Sequence, residues 1–170
     1  MIKFTAMIFI VLGFAFCGNC VAAYHSKRIS ILNDIILMLT VCETQLRYTC
    51  VPVNELLHTL NENTRLKSLG FISSCKVKTD AGEAFPFAWK ESIQNEKELC
   101  FIIHDVQPYL VQFGEELGST DLEGQMSCCE YYKQIFSKEL TEREEQNKKY
   151  SKLFPMLGLM LGLSAAIIII

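Results

Sequence analysis

The chain has 170 residues, half of which are hydrophobic, and a formal net charge of −3 at pH 7. Its length corresponds to a single domain, and its interspersed, slightly acidic charge excludes the basic footprint of a nucleic-acid-binding protein. Every Lys, Arg, Asp and Glu side chain except Lys3 lies between Lys27 and Lys152. Both ends of the chain are therefore apolar, and the charged residues lie between them.

The amino-terminal apolar segment, residues 4–24, has Asn19 as its only strongly polar residue and is long enough to cross a membrane as a helix. A charged start and the small residues of Val21-Ala22-Ala23 are also typical of a cleaved signal peptide. The apolar run is longer than a usual signal core, and Lys27 and Arg28 follow it, which favours an uncleaved anchor. We expect a transmembrane helix over residues 4–24, with a cleaved signal peptide as the alternative.

The carboxyl-terminal segment, residues 153–170, contains no ionisable side chain. As a helix it would be about 27 Å long, close to the thickness of about 30 Å of a hydrocarbon core, so it predicts a second transmembrane helix. Lys148, Lys149 and Lys152 precede it. Because the inner flanks of both predicted spans are basic, we expect residues 25–152 to lie in the cytoplasm and both termini to lie across the lipid bilayer.

Small residues recur in both predicted spans. A ridge of small side chains lets two membrane helices approach closely, and a polar side chain there gains from a partner within the membrane. The four-residue spacing is clearer in the second span than in the first. The candidate packing positions are Gly18, Asn19, Ala22, Gly158, Gly162 and Ala166.

The segment between the spans has the pattern of amphipathic helices. From Ser30 onward, apolar residues recur three and four positions apart, and the same spacing returns after Pro52, Pro86 and Pro108. Proline is acceptable in the first turn of a helix, so helices are predicted to begin near these prolines. We predict an all-α fold, a helical bundle domain between an amino-terminal and a carboxyl-terminal transmembrane helix.

Several details of the bundle follow from local signals. We expect Trp89, Ala84, Phe87 and Leu122 to lie on apolar helix faces, with Trp89 buried. Asp105 and Thr120 are the predicted N-caps of the two helices that follow them, and Gly118 is a predicted carboxyl cap.

Two short segments are less helical in pattern. Residues 76–83 are polar, contain a glycine and are predicted to form a loop. Residues 101–103 are bulky or β-branched, so a strand competes with a helix there.

No catalytic or metal-binding pattern is present in the sequence. The three histidines are far apart and lack ligand spacing. Cys17 and Cys20 form a C-x-x-C motif, but it lies in an apolar run, where desolvation disfavours a thiolate, and zinc would need a second pair. Six further cysteines lie between the spans. Their even number would suit disulfides in an exported domain, whereas reduced thiols are favoured in the cytoplasm. We expect no cofactor and no enzymatic activity.

Two stretches resemble one protein family in residue order. "LTVCETQLRYTCVPVNELL" (Leu39–Leu57) is similar to its signature L-x-x-L-E-T-E-x-x-Y-x-x-x-P-L-x-E-A-L, and "LGSTDLEGQ" (Leu117–Gln125), the charged helix after it and the apolar ending resemble its carboxyl half. The family is stage III sporulation protein AB of endospore-forming bacteria. Gln45 stands where an acidic residue is usual, and residues 75–105 match little. The matching positions that are candidates for interaction are Glu43, Tyr48, Pro52, Glu55, Gly118, Asp121, Gly124 and Gln125.

The resemblance implies a location and a set of partners. It implies a membrane component of the channel-like complex between mother cell and forespore, required for endospore formation. The protein would lie in the mother-cell membrane around the forespore, as a non-catalytic platform whose cytoplasmic domain is similar in fold to that of the type II secretion platform protein. The implied partners are a secretion-type ATPase and other membrane subunits, and a homo-oligomer is left open. The alternatives are an exported, disulfide-containing helical protein with a carboxyl-terminal anchor, and a generic two-span membrane adaptor.

Overall fold

The described part of the chain is entirely helical in a computed structural model. The backbone is described for residues 2–49 and 51–169, and side chains for residues 20, 23–48, 51–149, 153, 156, 157 and 160. These residues contain no strand, so the predicted all-α class is confirmed for them. In chain order the α-helices are α1 (Ile2–Thr49), α2 (Val53–Glu62), α3 (Gly70–Asp80), α4 (Phe85–Asn95), α5 (Lys97–Ile102), α6 (Gln107–Glu116) and α7 (Leu122–Ile169), with a 3-10 turn at Thr64–Leu66.

The chain divides into two compact units, Met1–Ile29 with Thr141–Ile170, and Ser30–Leu140. The first unit contains both predicted spans. Its described side chains include an exposed apolar row on α7, with three- and four-residue spacing, formed by Leu153, Met156, Leu157 and Met160. The candidate packing positions Gly18, Asn19, Ala22, Gly158, Gly162 and Ala166 lie outside the described side chains.

One described stretch is long and apolar enough to cross a membrane by length and composition, Ala23–Tyr48 in α1. It overlaps the predicted first span only at its beginning. Within the second unit its apolar side chains include Leu32, Ile35 and Leu39, which are fully buried against the rest of the domain. The apolar character of this stretch is therefore largely that of a core helix.

The centre of the second unit, which we call the helical domain, is the indole of Trp89 on α4. Its ring contacts Phe71 of α3 and Phe113 of α6 edge-on, with centroids 5.0 and 6.0 Å apart. Its Nε1 donates a hydrogen bond of 2.9 Å to the Leu110 carbonyl oxygen. The predicted burial of Trp89 is confirmed, with 1% of the residue exposed. One side chain thus joins three helices and satisfies its own polar atom.

A glycine on α6 makes this packing possible. A Cβ atom placed on Gly114 would lie 2.1 Å from Cδ1 of Trp89, far inside van der Waals contact. α6 therefore lies against the face of the indole with no side chain between them. An alanine at this position would force the ring or the helix to move.

Several sequence-based expectations about helix ends were wrong. α3 continues to Asp80, so the predicted loop over 76–83 is mostly helix. Lys76 pairs with Asp80 at 2.6 Å, one turn away, and Lys78 pairs with Glu91 of α4. The ion pair to Glu91 connects the last turn of α3 to α4, a contact that the sequence of the segment does not reveal. The turn itself closes at Gly82, whose φ of +96° favours glycine.

The competing strand at 101–103 is also wrong, because residues Lys97–Ile102 form α5. Leu99 and Ile102, three positions apart, are buried, whereas Phe101 is 70% exposed. Phe87 is 62% exposed and Leu122 is 38% exposed, in contrast to the expected inward positions. Ala84 precedes α4 and is exposed too.

Both predicted N-caps differ from those observed. Asp105 does not cap α6, which begins after Val106 without a side-chain cap. At the start of α7, Asp121 takes the role expected of Thr120, since its Oδ1 accepts a 3.0 Å hydrogen bond from the amide of Gly124.

The amino terminus of α3 is capped from a distant part of the chain. Leu69 precedes the helix and has no side-chain acceptor, but Glu96, which follows α4, accepts a 2.7 Å hydrogen bond from the Phe71 amide. Partial burial raises the pKa of Glu96, while hydrogen bonds from Phe71 and Gly70 amides act in the opposite direction. The carboxylate therefore fills a capping position that local sequence leaves empty.

We expect Gly114→Ala to lower the free energy of unfolding by about 3 kcal/mol, because the added methyl overpacks the core against Trp89. Chemical denaturation of the purified chain measures this. Combining Gly114→Ala with Trp89→Leu should cost less than the sum of the two single changes. Additive effects would contradict the close contact.

Replacing Glu96 separates the capping role from the charge. Glu96→Ala should lower the free energy of unfolding by about 1–2 kcal/mol, because two helix amides lose their acceptor. Glu96→Gln keeps an acceptor oxygen and should cost less. Because the folded pKa is raised, the wild-type carboxyl stabilises the fold most below its unfolded pKa, and this contribution is lost as the pH rises through the folded pKa. The free energy of unfolding, measured from pH 4 to 7, should therefore fall more steeply with pH for the wild type than for Glu96→Gln.

Candidate interaction surface

The two chain segments that carry the family resemblance lie side by side in the helical domain. Gly118, just after α6, has a φ of +82°, and a Cβ placed on it would lie 2.9 Å from Cγ2 of Val53. The connection between α6 and α7 therefore lies against the first residue of α2. Two segments more than sixty positions apart in sequence form one local structure.

Four of the matching positions build the start of α7. Gly118 supplies the positive φ that ends α6, as predicted for a carboxyl cap, and Asp121 caps α7 through the Gly124 amide. Gln125 Nε2 donates a 2.9 Å hydrogen bond to the Thr120 carbonyl oxygen. A Cβ on Gly124 would lie 2.6 Å from Oγ1 of Thr120, so a larger residue does not fit. The geometry of the turn thus accounts for the two glycines and for Asp121, and gives the Gln125 side chain one hydrogen bond.

Glu43 has a different role, because it connects α1 to α7. Its carboxylate accepts hydrogen bonds of 2.5 Å from Lys133 of α7 and 2.6 Å from Arg47 one turn along α1. The Glu43 side chain is 16% exposed and that of Lys133 is 30% exposed. The hydrogen bond from Lys133 lowers the pKa of Glu43. The acid is therefore a structural contact and is largely covered.

The cysteines next to this ion pair are protonated at neutral pH. Cys129 lies one turn before Lys133 on α7. Burial raises the pKa of Cys129 to about 12, and burial also raises the pKa of Cys128 to about 12. Cys42 is fully buried, and burial raises its pKa as well. The thiols of Cys20, Cys42, Cys75, Cys100, Cys128 and Cys129 are free. A raised pKa leaves little thiolate for nucleophilic or redox chemistry at Cys42, Cys128 and Cys129.

The remaining matching positions are on the surface. Tyr48 at the end of α1 is 79% exposed, the highest value among the exposed large hydrophobic side chains described. Pro52 and Glu55 are exposed on either side of the start of α2, and Asp121 is exposed at the start of α7. Burial does not explain an aromatic residue at position 48. We call these four residues, with the exposed Leu122 and Glu123 of the first turn of α7, the candidate interaction surface.

Below this surface the domain is closely packed. The apolar space lined by Cys42, Leu57, Trp89, Phe113 and neighbouring side chains leaves no room for a water molecule. Among the residues with described side chains, no three His, Cys, Asp or Glu residues form a group that could hold a metal ion. The described part of the domain thus has a closely packed apolar core beneath these exposed residues.

Sequence reasoning named these positions as candidates from residue order alone and missed two of their supports. Lys133 is ninety positions from Glu43, and neither residue carries a local signal of the other. Val53 is an ordinary apolar residue of a first helical turn, and only the fold shows its contact with Gly118. The one available signal was that the two similar stretches each border a helix end.

A double-mutant cycle tests the link between α1 and α7. We expect Glu43→Gln and Lys133→Met to be coupled by about 1 kcal/mol in the free energy of unfolding at pH 7. The folded pKa of Glu43 is lowered, so its stabilisation is present above the unfolded pKa and is lost as the pH falls through the folded pKa. The coupling should disappear in the acid range, and a coupling independent of pH would contradict the ion pair.

The tight contact at Gly118 gives a second test. Gly118→Ala should lower the free energy of unfolding by about 1–2 kcal/mol, because it combines an unfavourable positive φ with overpacking against Val53. Gly82→Ala is a matched control, since Gly82 also has a positive φ but has no atom within 4 Å of an added Cβ. Thermal unfolding followed by circular dichroism should show the larger loss for Gly118→Ala. Equal losses would exclude a steric contribution.

Comparison with known proteins gives one match. A family model described as stage III sporulation protein AB matches residues 3–170, which includes both similar stretches and both apolar ends. Comparison with curated proteins and with solved structures gave no match. Because the family match covers nearly the whole sequence, the chain belongs to the stage III sporulation protein AB family.

Proposed function

We propose that this stage III sporulation protein is a non-catalytic platform subunit of a membrane complex that connects mother cell and forespore during endospore formation. The family match over residues 3–170 is the observation that carries this proposal. The helical domain supports it, because its family-matching residues other than Glu43 either build a turn, as Gly118 and Asp121 do, or lie exposed, as Tyr48 does. Such residues fit a domain that holds partners in place.

The proposed anchors are the apolar segments 4–24 and 153–170. The exposed row Leu153, Met156, Leu157 and Met160 on α7 supports the second anchor, since lipid would cover these side chains. Basic residues on the inner flank of each segment favour a helical domain in the mother-cell cytoplasm. The membrane would be that of the mother cell around the forespore.

The proposed partners follow from the family. They are the secretion-type ATPase of the complex, on the cytoplasmic side, and its other membrane subunits, within the bilayer. The helical domain would then have the role, and the fold, of the cytoplasmic domain of a type II secretion platform protein. This proposal requires the domain to bind the ATPase without any reaction of its own.

Membrane topology can be tested by thiol labelling. Ser74, exposed on α3, can be replaced by cysteine in the full chain. A membrane-impermeant maleimide should label Ser74→Cys only after the cells are permeabilised, because the domain is cytoplasmic. The wild-type chain is the control for its native thiols. Labelling of intact cells, together with an amino terminus that begins after Ala23, would instead support the exported alternative.

The partners can be tested by affinity purification of the tagged full chain from sporulating cells. We expect the secretion-type ATPase and other membrane subunits of the stage III complex to be recovered with it. Disruption of the gene should block endospore formation at the engulfed-forespore stage. Normal spore yield without the protein, or recovery of the protein without these subunits, would contradict the proposed function.

A further inference from the structure

The candidate interaction surface combines exposed apolar groups with carboxylates. Two connections are involved, the one between α1 and α2 and the one between α6 and α7. Tyr48 and Pro52 are exposed next to the first, and Leu122 is exposed next to the second. Glu55 and Glu123 are exposed in the first turns of α2 and α7. Single exposed apolar residues are normal on protein surfaces. Here, however, they lie on two connections that contact each other through Val53 and Gly118.

The charge at this surface is predominantly negative. Glu55 and Glu123 are joined by Asp121, which is also exposed. The cation adjacent to Tyr48 in sequence is Arg47, whose guanidinium forms an ion pair with Glu43 at 2.6 Å. An exposed aromatic side chain and carboxylates on the same two connections are together complementary to Lys and Arg, which can combine ion pairing with contact to an aromatic face.

The sign of the charge also distinguishes between possible occupants. Anionic lipid headgroups would be repelled by the three carboxylates. The same surface on a second copy would be repelled as well, because like charges would face each other. A basic segment of another protein is the occupant that the charges favour.

We propose that Tyr48, Pro52, Glu55, Asp121, Leu122 and Glu123 form the docking surface for a basic segment of a protein partner, with Tyr48 as its central anchor. This inference rests on the proposed function for the setting in which the partner is met, namely the cytoplasmic side of the sporulation complex. It adds which face of the domain is used and what chemistry the partner presents. The carboxylates orient the partner, and Tyr48 and Leu122 supply the desolvated contact.

Photo-crosslinking tests the location of the surface without assuming the identity of the partner. A photoreactive phenylalanine analogue replaces Tyr48 in the full chain in sporulating cells, and Phe101 provides the matched control because it is 70% exposed on α5. We expect position 48 to give one discrete crosslink to a Lys- and Arg-rich segment, located by mass spectrometry, and position 101 to give none. Crosslinks to lipid, to a second copy or equally from both positions would overturn the inference, as would no crosslink at position 48.

Charge-neutral variants test the chemistry of the partner. Glu55→Gln with Glu123→Gln removes two carboxylates from the surface, and Glu62→Gln with Glu98→Gln removes two elsewhere, one of them also in a first helical turn. Binding of the full chain to the purified ATPase of the complex, or to whichever protein is crosslinked at position 48, should weaken at least tenfold for the first pair only. Raising the salt concentration should weaken wild-type binding and have less effect on that variant. Equal weakening by both pairs, or no weakening, would contradict the inference.

The two proposals fail in different ways. If position 48 crosslinks to a basic protein that is not part of the sporulation complex, the docking surface stands and the proposed function does not. If the complex subunits are recovered with the chain but Tyr48→Ser and Phe101→Ser bind them equally, the proposed function stands and the docking surface does not. Circular dichroism of Tyr48→Ser should match that of the wild type, because the side chain is exposed.

Discussion

The packing of Trp89 against Gly114 is the contact on which the helical domain depends. The indole occupies the space between α3 and α6 and also makes edge contacts with Phe71 and Phe113. Because its nitrogen is bonded to the Leu110 carbonyl oxygen, the large side chain is buried without an unsatisfied polar atom. Phe113 in turn contacts Tyr132 of α7. The aromatic contacts thus extend from α3 through α4 and α6 to α7.

This rigid centre gives the family-matching residues two separate roles. Gly118, Asp121, Gly124 and Gln125 determine how the chain enters α7, and they do so through backbone conformation and hydrogen bonds. Tyr48 and its exposed neighbours contribute almost nothing to packing. A turn held so closely fixes where α7 begins, and with it the exposed Asp121 and Leu122. Such fixed positions favour binding, because less conformational freedom is lost when a partner docks.

The helical class and the main core positions were predictable from sequence because they depend on apolar spacing. Residues such as Leu32, Leu39 and Phe113 follow the three- and four-residue pattern and are buried. Some errors occurred where a distant residue decided the outcome. Lys78, in the segment predicted to be a loop, forms an ion pair with Glu91 on α4. The start of α3 has no local cap, and Glu96 accepts a hydrogen bond from its Phe71 amide.

The exposed apolar residues show a second limit of sequence reasoning. Phe87 and Leu122 fit an apolar spacing but lie outside the core. A periodic pattern gives the face of a helix and does not give the number of neighbours that cover it. The matching positions were identified by residue order, whereas their division into structural and exposed groups required the fold.

The ion pair between Glu43 and Lys133 has a consequence for how the domain forms during synthesis. The two residues are ninety positions apart. The Glu43 carboxylate on α1 can therefore pair with Lys133 only after nearly the whole domain has left the ribosome. Loops of this length close slowly compared with the formation of neighbouring helices. The hairpin of α3 and α4 can form early, whereas the contact between α1 and α7 requires residue 133 to have been synthesised. The helical domain therefore makes its longest-range contact late, after helices α2 to α6 have been synthesised.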